Sequence, residues 1–450
     1  MPLNDDEMYY WVWSLHPAFG YVDHPSMVAW LIATTSWIGH SAIWIRLPFI
    51  ACETVAALVL GRAAVTLGAS RSGAGLCAII FTLIPQPDLL IAQAKPDPPY
   101  LLGWALSLLF AARWAKSGSR TDAFFLGVAL GATVMSRFFG WALVAGICAW
   151  ALTSNRSLRR TLWIPLTVVV LIYAPLLYWN AAHGWSNFTF TLFGRMNFAA
   201  QGMPELSSFH AMRLLFYVAA FLVVIFAAAR GRNGALALWT GVPMMLGLFA
   251  LSFMENVETY WMAGPFTSLC LVAGPWIGEF RKPLRAAVLS VWAAAAILTM
   301  ASVAAAGLWR SGPLDKRDFV FYPGIAADAR RFITQRSVRP VTDTYQIAAT
   351  LRYYGMKTTM IGGTSQASMW DGWYGSELPP RAIVLLLHPL ERRSALYSFL
   401  ARRYAAIAAG PALHYGTAQT QFTVYVVWCS RLKPFAESAA QATTRAQITR

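Results

Sequence analysis

The sequence predicts a mainly α-helical, polytopic transmembrane protein that ends in a small α/β domain outside the membrane. Three observations carry that prediction. Of 450 residues, 57% are hydrophobic and only 12% are charged, a balance that ordinary soluble domains do not show. Apolar runs near the roughly 20 residues that cross a bilayer as helix recur about ten times before residue 308. From about Asp315 charge rises, and the apolar runs shorten into alternating β-rich pieces beside helical ones.

In chain order, the first element is an acidic and aromatic segment. Asp5, Asp6 and Glu7 stand beside Tyr9, Tyr10, Trp11 and Trp13, and a second acidic motif, YVDHP at 21–25, follows before any long apolar run. The opening lacks a basic start followed by an apolar stretch, so no signal peptide is expected. Residues 1–46 are read as an extracytoplasmic loop region. Apolar runs then lie at 47–67, 73–91, 99–115, 124–136, 138–152, 162–179, 211–229, 235–254, 260–278 and 286–308, making 47–308 a transmembrane region. The fourth and fifth runs are separated by Arg137 alone, and read either as one tilted helix or as two shorter spans lining a cavity. Residues 309–435 are read as the α/β domain, with β pieces at 381–387 (RAIVLLL) and 421–428 (QFTVYVVW) and a helix at 326–335. The polar, alanine-rich stretch 436–450 has no core pattern and is read as a disordered tail.

Charge placement orients the spans. The net charge of +16 could suggest nucleic acid. The basic residues, however, fall in alternate connections, as Arg62 and Arg71, then Arg113, Lys116 and Arg120, then Arg156, Arg159 and Arg160, then Arg230 and Arg232, then Arg281, Lys282 and Arg285. The positive-inside rule makes those connections cytoplasmic and accounts for the charge without nucleic acid. The alternation requires two passes within 124–152, and it puts every candidate chemical motif on the opposite face. Cys52, Cys77, Cys148 and Cys270 lie in apolar runs and Cys429 stands alone, so no disulfide framework is indicated.

The elements DDEMYYWVWS, GYVDHPSMVAWL, WIRLP, AKPDPPYLLGW and WNAAHGWSNFTF, with Arg195 downstream, together resemble the polyprenyl-phosphate-dependent glycosyltransferases of the GT-C fold. Within these the resemblance is to family 39, the protein mannosyltransferases and the lipid A aminoarabinose transferases. It continues weakly into TDTYQIAATLRYYG at 342–355 and SMWDGWYG at 368–375. In that family a complete transmembrane helix precedes the Asp-Glu motif, whereas here only Met1 to Asn4 precede it. The resemblance implies transfer of a sugar, with inversion, from a polyprenyl-phosphate carrier to an acceptor at the outer face of a bacterial inner membrane. The acceptor stays open between lipid A or lipopolysaccharide core, another envelope glycan, and protein.

An acceptor hydroxyl is a poor nucleophile, so a carboxylate within hydrogen-bond reach is needed to remove its proton. The phosphate leaving group benefits from nearby cations. By motif match Asp6 is the expected general base, with Glu7 supporting or orienting it; a merely solvated acidic terminus is the alternative. Asp97 of KPDPPY is placed near the catalytic pocket, or else caps the helix that starts there. Asp23 and His24 are assigned to substrate binding, His24 to meet the carrier phosphate or a metal, unless Asp23 caps a helix beginning at Pro25. Lys95, Arg137 and Arg195 are cations on the face where few are expected: Lys95 is fit for phosphate, Arg137 is a buried-charge candidate for the site, and Arg195 suits phosphate or an anionic acceptor, with snorkelling as the plain alternative for the two arginines. Tyr9, Tyr10, His183 and Trp185 are assigned to the substrate, although an aromatic belt explains exposed tryptophans equally well. A divalent metal is left open, because Asp23, His24 and His183 lack diagnostic spacing. The rival classes are a transporter or flippase for lipid-linked glycan, which internal repeats would favour and none is evident, and a non-catalytic carbohydrate-binding subunit.

Overall fold

The computed structural model describes residues 2–84, 93–154, 156–191, 234–251, 257, 259–309, 317–362, 365–417 and 420–434. The expected span at 211–229, Arg195, Arg230, Arg232 and the 436–450 tail lie outside these residues. The chain divides into two compact units, Trp13–Ala304 on one hand and Met1–Val12 with Ala305–Arg450 on the other. Helix α1 (Asp5–Ser14) runs from the second of these into the first.

The unit Trp13–Ala304 is helical. It contains α2 (Met27–Ser36), α3 (Ala42–Thr66), α4 (Arg71–Thr82), α5 (Asp97–Ser117), α6 (Arg120–Ser136) and α7 (Gly140–Thr153). After these come α8 (Arg156–Thr161), α9 (Trp163–Ala182), α10 (Ser186–Thr189), α11 (Gly234–Leu251), a 3-10 turn at Thr259–Met262, α12 (Ala263–Gly278) and the start of α13 (Lys282–Trp309). Among the described residues, three segments are long and apolar enough to cross a membrane: Ala42–Thr66, Arg156–Ala182 and Gly234–Leu251. Large apolar side chains such as Leu58, Leu171, Val291 and Leu298 are exposed, as lipid-facing residues of a membrane protein are.

Local sequence explains the helix ends. Pro96 to Pro99 open α5, where missing N–H groups cost nothing, and Gly118 closes it in the left-handed region at φ 66°. The Ser119 hydroxyl then accepts the Thr121 N–H at 3.1 Å to start α6. Arg137 ends α6 with an extended backbone, φ −153° and ψ 142°, and α7 begins at Gly140. The segment 124–152 is therefore two helices broken at Arg137 and not one continuous helix. Inside the bundle, Trp104 Nε1 donates to Ser268 Oγ at 2.8 Å, and Ser268 shares a second hydrogen bond with Thr240 at 2.8 Å, tying α5, α11 and α12. Gly274 lets α12 approach α4 closely: a Cβ there would stand 2.4 Å from the Cys77 nitrogen.

The other unit holds the α/β domain. Its sheet contains β1 (Arg339–Thr342), β2 (Thr359–Met360), β3 (Arg381–Leu386), β4 (Tyr404–Thr417) and β5 (Thr420–Leu432) in the order β2-β1-β3-β5-β4. β2, β1 and β3 are parallel; β5 runs antiparallel to both β3 and β4. The helices are α14 (Arg317–Arg336), α15 (Tyr345–Tyr353), α16 (Ser365–Tyr374) and α17 (Ala395–Arg403). β3 is apolar almost throughout because both its faces are covered, and Val384 pairs with Val341 on one side and Val427 on the other. The start of α1 packs on this domain, with the Tyr9 ring 4.4 Å from Tyr345 and the Trp11 ring 5.2 Å from Tyr353.

Candidate active site

Within Trp13–Ala304 the sequence motifs converge around the break at Arg137. Arg137 is buried, and its guanidinium Nη1 pairs with Oδ1 of Asp97, itself buried in the first turn of α5. The N-cap position of α5 is Pro96, and Asp97, one residue on, meets Arg137. The 3-10 turn brings Tyr260 to the same place: its ring centroid is 5.0 Å from the Arg137 guanidinium and 5.9 Å from Lys95 Nζ. Two cations thus lie near one aromatic ring, and one of them is paired with a carboxylate. A guanidinium stays charged at any physiological pH, so Arg137 remains a cation beside Lys95 while paired with Asp97.

The YVDHP loop is anchored to the same region. The Asn187 side-chain amide donates to the Tyr21 and Val22 carbonyls at 2.6 and 3.1 Å, fixing the backbone just before Asp23 and His24. Phe188, the next residue, packs on Phe138 beside Arg137 with ring centroids 5.6 Å apart. Within the loop the Tyr21 N–H donates to the His24 carbonyl at 3.2 Å, closing a tight turn. The Tyr21 hydroxyl lies 3.1 and 2.9 Å from the Trp13 and His16 carbonyls and accepts the Ala18 N–H at 3.0 Å. Burial pushes that hydroxyl above its usual range, so it stays protonated. Gly20 is required here, since a Cβ would stand 2.4 Å from Leu176 Cδ1 and 2.7 Å from Trp179 Cε3. Asp23 and His24 are both buried. Helix α2 begins just beyond this loop, with Ser26 at its N-cap position.

His183 and Trp185 are exposed on the reversal between α9 and α10. His183 stacks on Trp179 at 4.2 Å, and its Nδ1 lies 2.8 Å from the Trp179 carbonyl, which makes Nδ1 the protonated nitrogen. Gly184 and Trp185 turn the chain through consecutive left-handed residues, φ 62° and 57°. The Trp185 N–H then closes on the Asn180 carbonyl at 2.8 Å.

Asp6, Glu7, Tyr9 and Tyr10 belong to the unit with the α/β domain. Asn4 and Glu7 form a reciprocal cap at the start of α1: the Glu7 N–H donates to Asn4 Oδ1 at 2.7 Å, and the Asn4 N–H donates to Glu7 Oε2 at 3.0 Å. Glu7 is fully buried in that role. Asp6 is half-buried and, among the described residues, has no hydrogen-bond or ion-pair partner. Tyr9 and Tyr10 are buried, Tyr9 against Tyr345, so their rings pack the unit and are not presented to solvent.

Three residues in the site region escaped the sequence reading. Glu53 sits in the middle of α3, within electrostatic range of Asp97, with Oε1 buried and unpaired among the described residues. An acid inside an apolar run is itself a functional signal, and that signal was available. Asn187 was visible only as part of a motif, and Tyr260 only as an aromatic in an outer turn. Among the described residues no three His, Cys, Asp or Glu side chains gather closely enough to hold a metal ion.

Residues 23–179 match the family model described as dolichyl-phosphate-mannose-protein mannosyltransferase. The resemblance carried by the sequence motifs and this match agree, and the fold of the chain is that of GT-C membrane proteins. It is similar to ArnT from Cupriavidus metallidurans in the apo state, at 14% identity and TM-score 0.59, covering 94% of this chain and 93% of that one. The same protein bound to undecaprenyl phosphate matches at 14% identity and TM-score 0.61, covering 94% and 92%. An Archaeoglobus fulgidus oligosaccharyltransferase tethered with an acceptor peptide matches at 13% identity and TM-score 0.51, covering 94% of this chain and 70% of that one. No curated protein sequence matches the chain.

Proposed function

We propose that this protein is a membrane glycosyltransferase that moves one sugar from a polyprenyl-phosphate carrier to an envelope acceptor on the extracytoplasmic face of a bacterial inner membrane. The observation that carries the reading is the state of the opening acidic cluster. Glu7 caps α1, while Asp6 on the same turn has no partner among the described residues and so has its carboxylate available to an acceptor hydroxyl.

In this mechanism Asp6 accepts the proton of an acceptor hydroxyl as its oxygen attacks the anomeric carbon. The bond from that carbon to the phosphate oxygen breaks, and its electron pair leaves with the polyprenyl phosphate, inverting the centre. Lys95 and Arg137, gathered over Tyr260, supply positive charge for the departing phosphate. Asp97 holds Arg137 in place, and Asp23 with His24, fixed by Asn187, lines the approach of the carrier head group. His183 and Trp185 offer exposed rings to the substrate, Arg195 adds a further cation downstream, and Tyr9 with Tyr10 packs the helix that carries Asp6.

The test is incubation of the purified chain in lipid nanodiscs with polyprenyl-phosphate sugars and candidate acceptors, read by mass of the acceptor. Gain of one sugar mass supports the reading. Movement of donor across a bilayer with no transfer would replace it by the transporter reading.

A further inference from the structure

The α/β domain has a feature that its order of strands creates. The chain leaves β1 for the edge strand β2, and leaves β3 by way of α17 for β4 at the opposite edge. The carboxyl ends of the adjacent parallel strands β1 and β3 therefore diverge, which is where open α/β sheets form ligand crevices. Asp343 immediately follows β1, and His388 stands two residues beyond the end of β3. The Oδ1 atom of Asp343 is buried without a hydrogen-bond partner among the described residues. Burial holds the Asp343 carboxyl above its ordinary range, with nearby His388 acting in the opposite direction. The turn itself is set by Thr342, whose hydroxyl accepts the Thr344 N–H at 3.2 Å.

We propose that Asp343 and His388, at the diverging ends of β1 and β3, bind neighbouring hydroxyls of a carbohydrate acceptor and hold it beside the Asp6 helix. The proposal rests on the sugar-transfer reading above and names its acceptor class. A carboxylate repels phosphate and accepts hydroxyl hydrogens, and a buried lone oxygen is costly until a ligand supplies one. An imidazole two residues past the next strand can donate to or accept from the adjoining hydroxyl. Location agrees with this role: Tyr345, two residues after Asp343, packs on Tyr9, and Tyr9 lies one helical turn from Asp6 on the same face of α1.

The experiment uses full-length protein in nanodiscs, with a deacylated lipopolysaccharide-core oligosaccharide and a serine-containing peptide as acceptor probes. Calorimetric binding of each probe is measured on wild type, Asp343→Asn and His388→Ala, and acceptor and donor KM are measured wherever turnover occurs. The expected result is oligosaccharide binding by wild type, weakened at least tenfold by Asp343→Asn, with donor KM unchanged within twofold and a melting temperature no lower than wild type. Equal oligosaccharide affinity in the variant, binding of the peptide alone, or a lowered melting temperature in Asp343→Asn overturns the proposal. Binding is read without turnover, so an absence of transfer by wild type refutes the parent reading and leaves this one decided by affinity. Loss of kcat in Asp6→Asn with Asp343→Asn inert refutes only the acceptor site.

Discussion

Replacing Arg137 by alanine should be among the most damaging single changes in the membrane unit. Asp97 and Arg137 are both buried and pair directly, so alanine strands a carboxylate beside a second acid, Glu53. Removing one partner of such a pair costs about 3–5 kcal/mol, and losing the cation–π contact to Tyr260 adds up to about 1 kcal/mol. A neutral double variant, Asp97→Asn with Arg137→Gln, keeps hydrogen-bonding groups of similar size and should recover to within about 1 kcal/mol of wild type. The assay is equilibrium unfolding in mixed micelles, run as a double-mutant cycle, with kcat/KM measured in parallel. Stability and activity should separate: the double variant is stable, yet loses transfer because the phosphate has lost a cation. A cost under about 1 kcal/mol for Arg137→Ala, or full activity in the neutral pair, would refute this account of the pair.

Asn187→Ala removes two hydrogen bonds to the YVDHP backbone and should cost about 1–3 kcal/mol, with donor KM rising more than kcat falls. Kinetics with variable donor check it, and an unchanged donor KM would detach the loop from the carrier. Glu53→Gln keeps the volume and removes acid–acid repulsion near Asp97, so unfolding should show equal or greater stability. A loss of more than about 1 kcal/mol there would mean that the Glu53 charge is paired.

Much of this arrangement is legible in the sequence, and the reasons differ by element. Helical spans are written in composition and length, and the break at Arg137 is announced by a cation between two apolar runs. β3 and β5 read clearly, because RAIVLLL and QFTVYVVW are β-branched and aromatic. β4 does not: YAAIAAGPALHYGT is alanine-rich, carries Gly410 and Pro411, and shifts register between Ala409 and Ala412, features that local propensity counts against a strand. Tertiary pairing with β5 overrides that propensity. In the site, motif spacing marks Asp97, Lys95 and the Asp-His pair. It cannot show that Asn187 ties the Asp-His loop down, or that Asp97 meets Arg137 forty residues away. Those contacts exist only once the helices pack. Glu7 illustrates the opposite case, since the Asn-x-x-Glu spacing at Asn4 and Glu7 is a capping pattern readable without any structure.

The most direct measurement of the central claim is the single-turnover rate of sugar transfer by Asp6→Asn with donor and acceptor saturating. Asp6 has no structural partner among the described residues, so the variant should unfold like wild type while its rate falls by about 10²–10⁴, the range of a lost general base. A transfer rate within twofold of wild type would contradict the assignment of Asp6 and with it the mechanism built on the opening cluster.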